Sequence, residues 1–108
     1  MPHLKKLDAH LLVCVHKTCR KQGSRLAARE LKRTLKAHGL RRSVLVTKVD
    51  CLDQCGRGPV VVVYPDGVWY GKVDEASARQ IVEQHIKEGR IDERNVLHDM
   101  RGKEAGTR

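Results

Sequence analysis

The sequence predicts a single α/β domain in which two main helices cover a four-stranded mixed sheet. Three observations support this fold class. Short apolar runs alternate with segments of helical periodicity. One pair of these runs is joined by a Pro-Asp-Gly turn, and 108 residues is the length of one domain. We expect a flexible lead-in at residues 1–9, the folded domain at residues 10–91 and a largely disordered polar tail at residues 92–108.

The first half of the domain has the pattern strand, helix, strand. Residues 10–15 form a short apolar run, which is typical of a buried strand. The next segment has one apolar stripe at helical spacing, formed by Ala27, Leu31 and Leu35. Ser24 is the predicted N-cap of this helix, and Gly39 stands where a helix commonly ends. Residues 42–49 alternate in character and predict the second strand.

The second half of the domain has the pattern hairpin, helix. Residues 60–64 are apolar at almost every position, so this strand should lie inside the sheet. The turn at residues 65–67 then returns the chain through residues 68–70 as the hairpin partner. Asp74 is the predicted N-cap of a second helix, which Gly89 ends. The apolar stripe of this helix consists of Ala78, Ile81, Val82, His85 and Ile86.

The order of these elements predicts the topology. Two strands joined by a helix form a right-handed parallel unit, and the hairpin adds an antiparallel pair. With two helices on the sheet, this is the plan of a thioredoxin-like fold. We expect His85 to be packed in the core rather than to bind a metal, and Ile91, Val96 and Leu97 to dock the chain that follows the second helix.

Charge and composition limit the classes of partner. The formal charge is +9, and such a surface attracts anions. Trp69, Tyr64 and Tyr70 are the only Trp and Tyr residues and Phe is absent, so no repeated aromatic platform is available for stacking bases. The apolar run at residues 11–15 is too short for a secretory signal, and no stretch approaches the length of a membrane span. We therefore expect a cytoplasmic protein with reduced cysteines that binds neither nucleic acid nor a membrane.

The four cysteines fall into two pairs. Cys14 and Cys19 follow the first predicted strand, and Cys51 and Cys55 lie between the second and third strands. A redox dithiol of the thioredoxin type needs two intervening residues, and neither pair has them. Four thiolates at one edge of the sheet suit structural zinc or a two-iron cluster with one pair on each iron.

The neighbouring residues favour the cluster over zinc. Gly56 and Gly58 allow the backbone to approach and to point N–H groups at sulfur. Basic residues beside both pairs would offset the negative charge of a cluster; they are Lys17, Arg20, Lys21 and Arg57. Zinc stays open at this point, because glycines are common in loops and basic residues are common in solvent.

Several segments resemble the thioredoxin-like [2Fe-2S] ferredoxins, a family with related domains in the small cluster-bearing subunit of bacterial NADH dehydrogenase. The resemblance covers about residues 10–91, and its most specific part is GPVVVVYPDGVWY at residues 58–70. The motif CLDQC at residues 51–55 matches the second ligand pair of the family, and Cys14 and Cys19 match the first pair in its short-loop form. The resemblance implies one [2Fe-2S] cluster per chain, held by Cys14, Cys19, Cys51 and Cys55.

This family resemblance also implies a function. It indicates a one-electron carrier between redox proteins that is usually dimeric, and not an enzyme. Two alternatives stay open. One is a binding module that zinc or a cluster stabilises without a redox role, and the other is an electron-transfer subunit of a larger oxidoreductase complex.

Two surfaces are candidates for contacts with other proteins. Trp69 and Tyr70 would form a homodimer surface if they are exposed, or would pack beneath the helices if they are not. The basic residues Lys17, Arg20, Lys21 and Arg57 are predicted to frame the electron exit and to select an acidic partner. Arg29 and Lys32 on the first helix are expected to matter less, because we place them farther from that contact.

Overall fold

The structure is a computed structural model that describes residues 7–16, 21–50, 57–91 and 93–100. Its strands are β1 (Ala9–Cys14), β2 (Val44–Val49), β3 (Val61–Tyr64), β4 (Val68–Tyr70) and β5 (Val96–Asp99). Its helices are α1 (Ser24–Ala37) and α2 (Glu75–Gln80), which continues as a π-helix over Ile81–Ile86. A short 3₁₀ turn, Glu93–Asn95, precedes β5. Most of the lead-in, residues 1–6, and the end of the tail, residues 101–108, lie outside the described residues.

The strands form one mixed sheet in the order β2-β1-β3-β4-β5. β1 and β2 run parallel and are connected through α1, whereas the other neighbours are antiparallel. β1 therefore lies between β2 and β3, with Leu12 paired to Thr47 on one side and to Val62 on the other. The predicted mixed sheet with two main helices is confirmed.

The predicted number of strands, four, is wrong by one. β5 lies in the segment that we assigned to a polar tail, and its sequence has only two apolar residues, so no pattern marks it. β5 is positioned by contacts with β4 and with Gly71, the residue that follows β4. Asn95 Nδ2 donates to the carbonyl oxygen of Gly71 at 3.0 Å, and Leu97 lies so close to Gly71 that a Cβ there would be 2.8 Å from Leu97 Cγ. The predicted docking of Val96 and Leu97 is confirmed, since both pack against buried clusters.

The main core lies between the helices and one face of the sheet. It is built from aliphatic residues and a single tyrosine, and its larger buried members include Leu11, Leu31, Leu35, Val61, Val63, Tyr70 and Ile81. Burying one such side chain stabilises the fold by about 1.5–3 kcal/mol. The two helices are also linked by charge, because Arg79 Nη1 donates to Glu30 Oε2 at 3.3 Å.

The two helices begin differently. Ser24, the predicted N-cap of α1, is instead its first helical residue. Gly23 is the N-cap with φ 99°, a left-handed conformation that residues with a Cβ avoid, and no side chain caps the helix. In α2 the predicted N-cap, Asp74, is confirmed, since the Ser77 amide donates to Asp74 Oδ1 at 2.8 Å. This bond holds the pKa of Asp74 below its ordinary value of 3.8.

Tyr70 and Trp69 lie on opposite faces of the sheet, because successive side chains of a strand alternate. Tyr70 is fully buried under the helices, and its hydroxyl lies 2.8 Å from His85 Nδ1. His85 is buried and contacts Asp66 Oδ2 through Nε2 at 2.7 Å. The expectation of a packed His85 is confirmed, and the hypothesis of an exposed Trp69–Tyr70 pair is wrong.

Candidate metal centre

Cys14 closes β1 and is the only predicted ligand within the described residues. Its thiol is free, and the residue is only 1% exposed. The thiol donates a long hydrogen bond of 3.9 Å to the carbonyl oxygen of Asp50, just after β2. A buried thiol therefore stands at the end of the sheet where the sequence predicts the two cysteine loops to meet.

Backbone hydrogen bonds bring both ends of the second cysteine loop beside Cys14. The Cys14 amide donates to the carbonyl of Val60 at 3.1 Å, and the next amide donates to the carbonyl of Val49 at 2.8 Å. Val49 is two residues before Cys51, and Val60 is five residues after Cys55. Because β1 lies between β2 and β3, the segment that carries the second pair connects strands on opposite sides of Cys14. This sheet order supports the predicted convergence of Cys14 with the second pair.

The other predicted site residues are only partly within the described ranges. Cys19, Cys51 and Cys55 lie outside the described residues, as do Lys17 and Arg20. Lys21 and Arg57 are described, and both are exposed. Within residues 7–16, 21–50, 57–91 and 93–100, no three His, Cys, Asp or Glu side chains come together as a metal site. The four-cysteine ligand set stays a prediction.

A second cluster of side chains surrounds Cys14 on the face opposite the helices. Cys14 and Val60 form its buried centre, and Trp69 and Leu97 pack against them. The Trp69 Nε1–H group is buried and has no hydrogen-bond acceptor among the described residues. Burying a donor without an acceptor costs about 1–3 kcal/mol. Sequence reasoning singled out Trp69 only as a contact residue and missed this donor, because its direction depends on the alternation along β4.

The first residue of α1 carries another unpaired donor. The Ser24 hydroxyl is fully buried and has no hydrogen-bond partner in the described part of the chain. Ser24 follows the first cysteine pair closely in the chain, five residues after Cys19. Among the residues that the structure describes, Ser24 Oγ and Trp69 Nε1 are the only buried side-chain nitrogen or oxygen atoms without a partner.

Comparison with known proteins identifies the family. The family model for thioredoxin-like [2Fe-2S] ferredoxins matches residues 3–86. The chain belongs to this family. A curated relative from Aquifex aeolicus named "Ferredoxin, 2Fe-2S" is 37% identical over 97 residues, which cover 82% of this chain and 87% of the relative. A "Ferredoxin, 2Fe-2S" from Clostridium pasteurianum is 44% identical over 57 residues, covering 53% of this chain and 56% of the relative.

Solved structures of this ferredoxin family agree with the fold. A thioredoxin-like [2Fe-2S] ferredoxin from Aquifex aeolicus superimposes with a TM-score of 0.83 at 35% identity, covering 87% of this chain and 94% of the other. The predicted fold class and family are therefore confirmed. In the described part of the chain, no helix combines the length and apolar character that crossing a membrane requires.

As a member of this ferredoxin family, the chain carries a [2Fe-2S] cluster and acts as an electron carrier. The residues present fit such a group. Cys14 offers a free thiol at the predicted edge, and Trp69 offers a buried N–H group in the same side-chain cluster. Sulfur atoms of iron–sulfur clusters accept hydrogen bonds of this kind. The zinc-stabilised and subunit alternatives are not favoured.

Proposed function

We propose that this ferredoxin passes single electrons between protein partners, with Cys14, Cys19, Cys51 and Cys55 as the four ligands of its cluster. The position of Cys14 between Val49 and Val60 carries this proposal, because it directs both ends of the second loop to the buried thiol. The cluster, when bound, supplies one-electron chemistry. The chain itself holds the ligands in place, and we propose that it catalyses no reaction of its own.

Single cysteine substitutions test the ligand set. Each of C14A, C19A, C51A and C55A should lose iron and visible colour, because a two-iron cluster bound by two pairs of thiolates needs every pair intact. The control is Ser43→Ala. The Ser43 hydroxyl donates to the carbonyl oxygen of Leu40 at 3.2 Å, near the end of β2 that is farther from Cys14, so its loss should leave the iron content unchanged. Full iron content in all four cysteine variants would overturn the assignment.

We further propose a homodimer that buries the face of the sheet opposite the helices. Strand pairing places Leu12 beside Val62, and Val62 beside Trp69. Leu12 and Trp69 keep part of their surface exposed, and no helix residue belongs to the cluster on this face. A second copy of the chain would cover the same patch on its partner, as a two-fold contact requires.

Sedimentation at micromolar concentration tests the homodimer. The wild-type protein should sediment as a dimer, and Leu12→Glu should shift it to a monomer because the charge would be buried in the contact. Leu26→Glu is the matched control, because Leu26 is 48% exposed on α1. A monomeric wild-type protein would contradict the proposal.

The partner and the compartment complete the proposal. We propose that Lys17, Arg20, Lys21 and Arg57 select an acidic redox partner, and the exposure of Lys21 and Arg57 supports this. We also propose a cytoplasmic location, because ligation requires thiols that a reducing compartment maintains.

A further inference from the structure

An open cleft with basic walls adjoins the end of the sheet that carries Cys14. Its volume is about 910 Å³. The chain just after β1, the exposed side of α1 and the end of β2 contribute its walls. The described residues that line it are Val15, His16, Arg25, Arg29, Lys32, Lys48 and Asp50, the last of which supplies one carboxylate. Val15 and His16 directly follow Cys14, so the cleft lies at the end of the sheet that carries Cys14.

The cations of this cleft are available for an external partner. Arg25, Arg29, Lys32 and Lys48 are all exposed, and none of them forms an ion pair with another described residue. Arg33 on α1 and Arg79 on α2 differ, since both pair with Glu30. The carboxylate of Glu30 therefore neutralises cations other than the four in the cleft lining.

The start of α1 adds to the positive potential of the cleft. The first turn contains no acidic residue, and no side chain caps its amides. The first turns of helices carry partial positive charge, and Arg25 projects from this turn into the cleft lining. The partial charge of the helix terminus and the charges of the lining arginines and lysines are therefore all positive.

The spacing of the cations indicates the shape of the ligand. Arg25, Arg29 and Lys32 stand at positions i, i+4 and i+7, so they form one stripe on the helix. At 1.5 Å per residue the stripe is about 10 Å long, and Lys48 lies across the cleft from it on the edge strand. A small anion would contact only part of this length, whereas a segment with several carboxylates would contact all of it. No aromatic residue other than His16 lines the described walls, which disfavours stacked bases.

We propose that the α1–β2 cleft docks an acidic segment of the protein that exchanges electrons with this ferredoxin. The inference rests on the proposed function, because it names the chemistry of the partner and its landing surface. It also changes the expectation for Arg29 and Lys32. The structure places both in the wall of a cleft at the end of the sheet that carries Cys14, so the proposal makes them part of the docking surface.

The test measures binding of a fluorescein-labelled octaglutamate peptide to the cluster-loaded full chain by fluorescence anisotropy. R29E/K32E should weaken binding about tenfold at low salt, because two attractive charges become repulsive. The matched control is R41E/R42E, which makes the same change of net charge at two exposed residues before β2. It should weaken binding less than about threefold through long-range charge alone.

Several outcomes would overturn the inference. Equal losses in the two variants would show that only net charge matters, and unchanged binding in R29E/K32E would exclude the cleft. An octathymidine probe that binds more tightly than the peptide, and loses that binding in R29E/K32E, would assign the cleft to nucleic acid. If the reversal unfolds the chain, R29Q/K32Q gives the same comparison with R41Q/R42Q.

The visible spectrum separates failure of this inference from failure of the proposed function. A wild-type chain without iron or sulfide would overturn the proposed electron carrier, whatever the peptide does. A coloured wild-type chain and a coloured R29E/K32E variant with equal peptide affinity would overturn only the docking site.

Discussion

The backbone amide of Cys14 donates to the carbonyl oxygen of Val60, which joins the backbone of the first predicted ligand to the residue just before β3. Through the pairing of Val62 with Trp69, the β3–β4 hairpin places the indole on the face that carries Cys14. Backbone hydrogen bonds to β3 and to the residue before it therefore position both Cys14 and Trp69. The geometry around Cys14 and Trp69 is thus set by the strands and their hydrogen bonds.

Trp69→Phe should make the reduction potential of the ferredoxin more negative. The substitution keeps an aromatic ring against Val60 but removes the buried N–H group. Hydrogen bonds to cluster sulfur stabilise the reduced, more negative state. A tenfold change in the equilibrium constant for one-electron reduction corresponds to 59 mV, and we expect a shift of up to about that size in a redox titration.

Leu97→Val is the control for the Trp69 prediction. It alters packing in the same cluster and removes no donor. Equal potentials in wild type and Trp69→Phe, or equal shifts in both variants, would show that the indole N–H group does not act on the cluster.

Reversing Lys17 and Arg57 to Glu should slow electron transfer to an acidic redox partner and flatten its dependence on salt. Exposed charges near a contact accelerate encounter, and they are screened over about 10 Å at 0.1 M salt. Stopped-flow electron transfer over a salt series measures the effect, with cluster content checked in each variant. The control R41E/R42E makes the same change of net charge at two exposed residues before β2. If it transferred electrons as slowly as K17E/R57E, Lys17 and Arg57 would have no specific role in docking the partner.

Sequence patterns predicted those elements whose formation depends on local residues. The stripe of α1, the Asp74 cap and the β3–β4 turn are local, and the structure has all of them. The predicted position of the metal centre followed from strand order, and the structure places Cys14 beside Val60 and Val15 beside Val49, two described residues that flank the second pair in sequence. The family resemblance then added the identity of the cofactor, a [2Fe-2S] cluster.

The missed features depend on tertiary contacts. β5 forms because Asn95 and Leu97 find partners around Gly71, and no periodicity in its short sequence signals that. Ser24 became the first helical residue because Gly23 adopts the left-handed cap conformation. The position of Arg29 and Lys32 in the cleft lining depends on which side of α1 adjoins β2, and the helical pattern identifies only the apolar side.

Gly71→Ala should destabilise the fold by about 1–3 kcal/mol, the usual cost of overpacking. A Cβ at this position would lie 2.8 Å from Leu97 Cγ and 2.9 Å from the carbonyl oxygen of Arg57. Adding Leu97→Ala should recover only part of the loss, since the backbone contact at Arg57 remains. Thermal unfolding measures both variants, and a Gly71→Ala protein as stable as wild type would show that β5 does not pack as described.

Asp74→Ala should lower stability at pH 7 by about 1 kcal/mol, the typical cost of losing an N-cap. The pKa of Asp74 is lowered in the folded chain by the Ser77 amide. The carboxylate therefore stabilises the fold fully above its ordinary pKa of 3.8 and loses this effect only below it. The stability difference between wild type and variant should stay constant from about pH 7 to pH 5, and a difference that vanished within that range would contradict a lowered pKa.

Iron and acid-labile sulfide analysis of the purified chain tests the central claim most directly. A [2Fe-2S] ferredoxin should contain iron and sulfide in equal amounts, two of each per chain, and its visible colour should bleach on reduction. Stoichiometric zinc without sulfide in a colourless, folded protein would contradict the account.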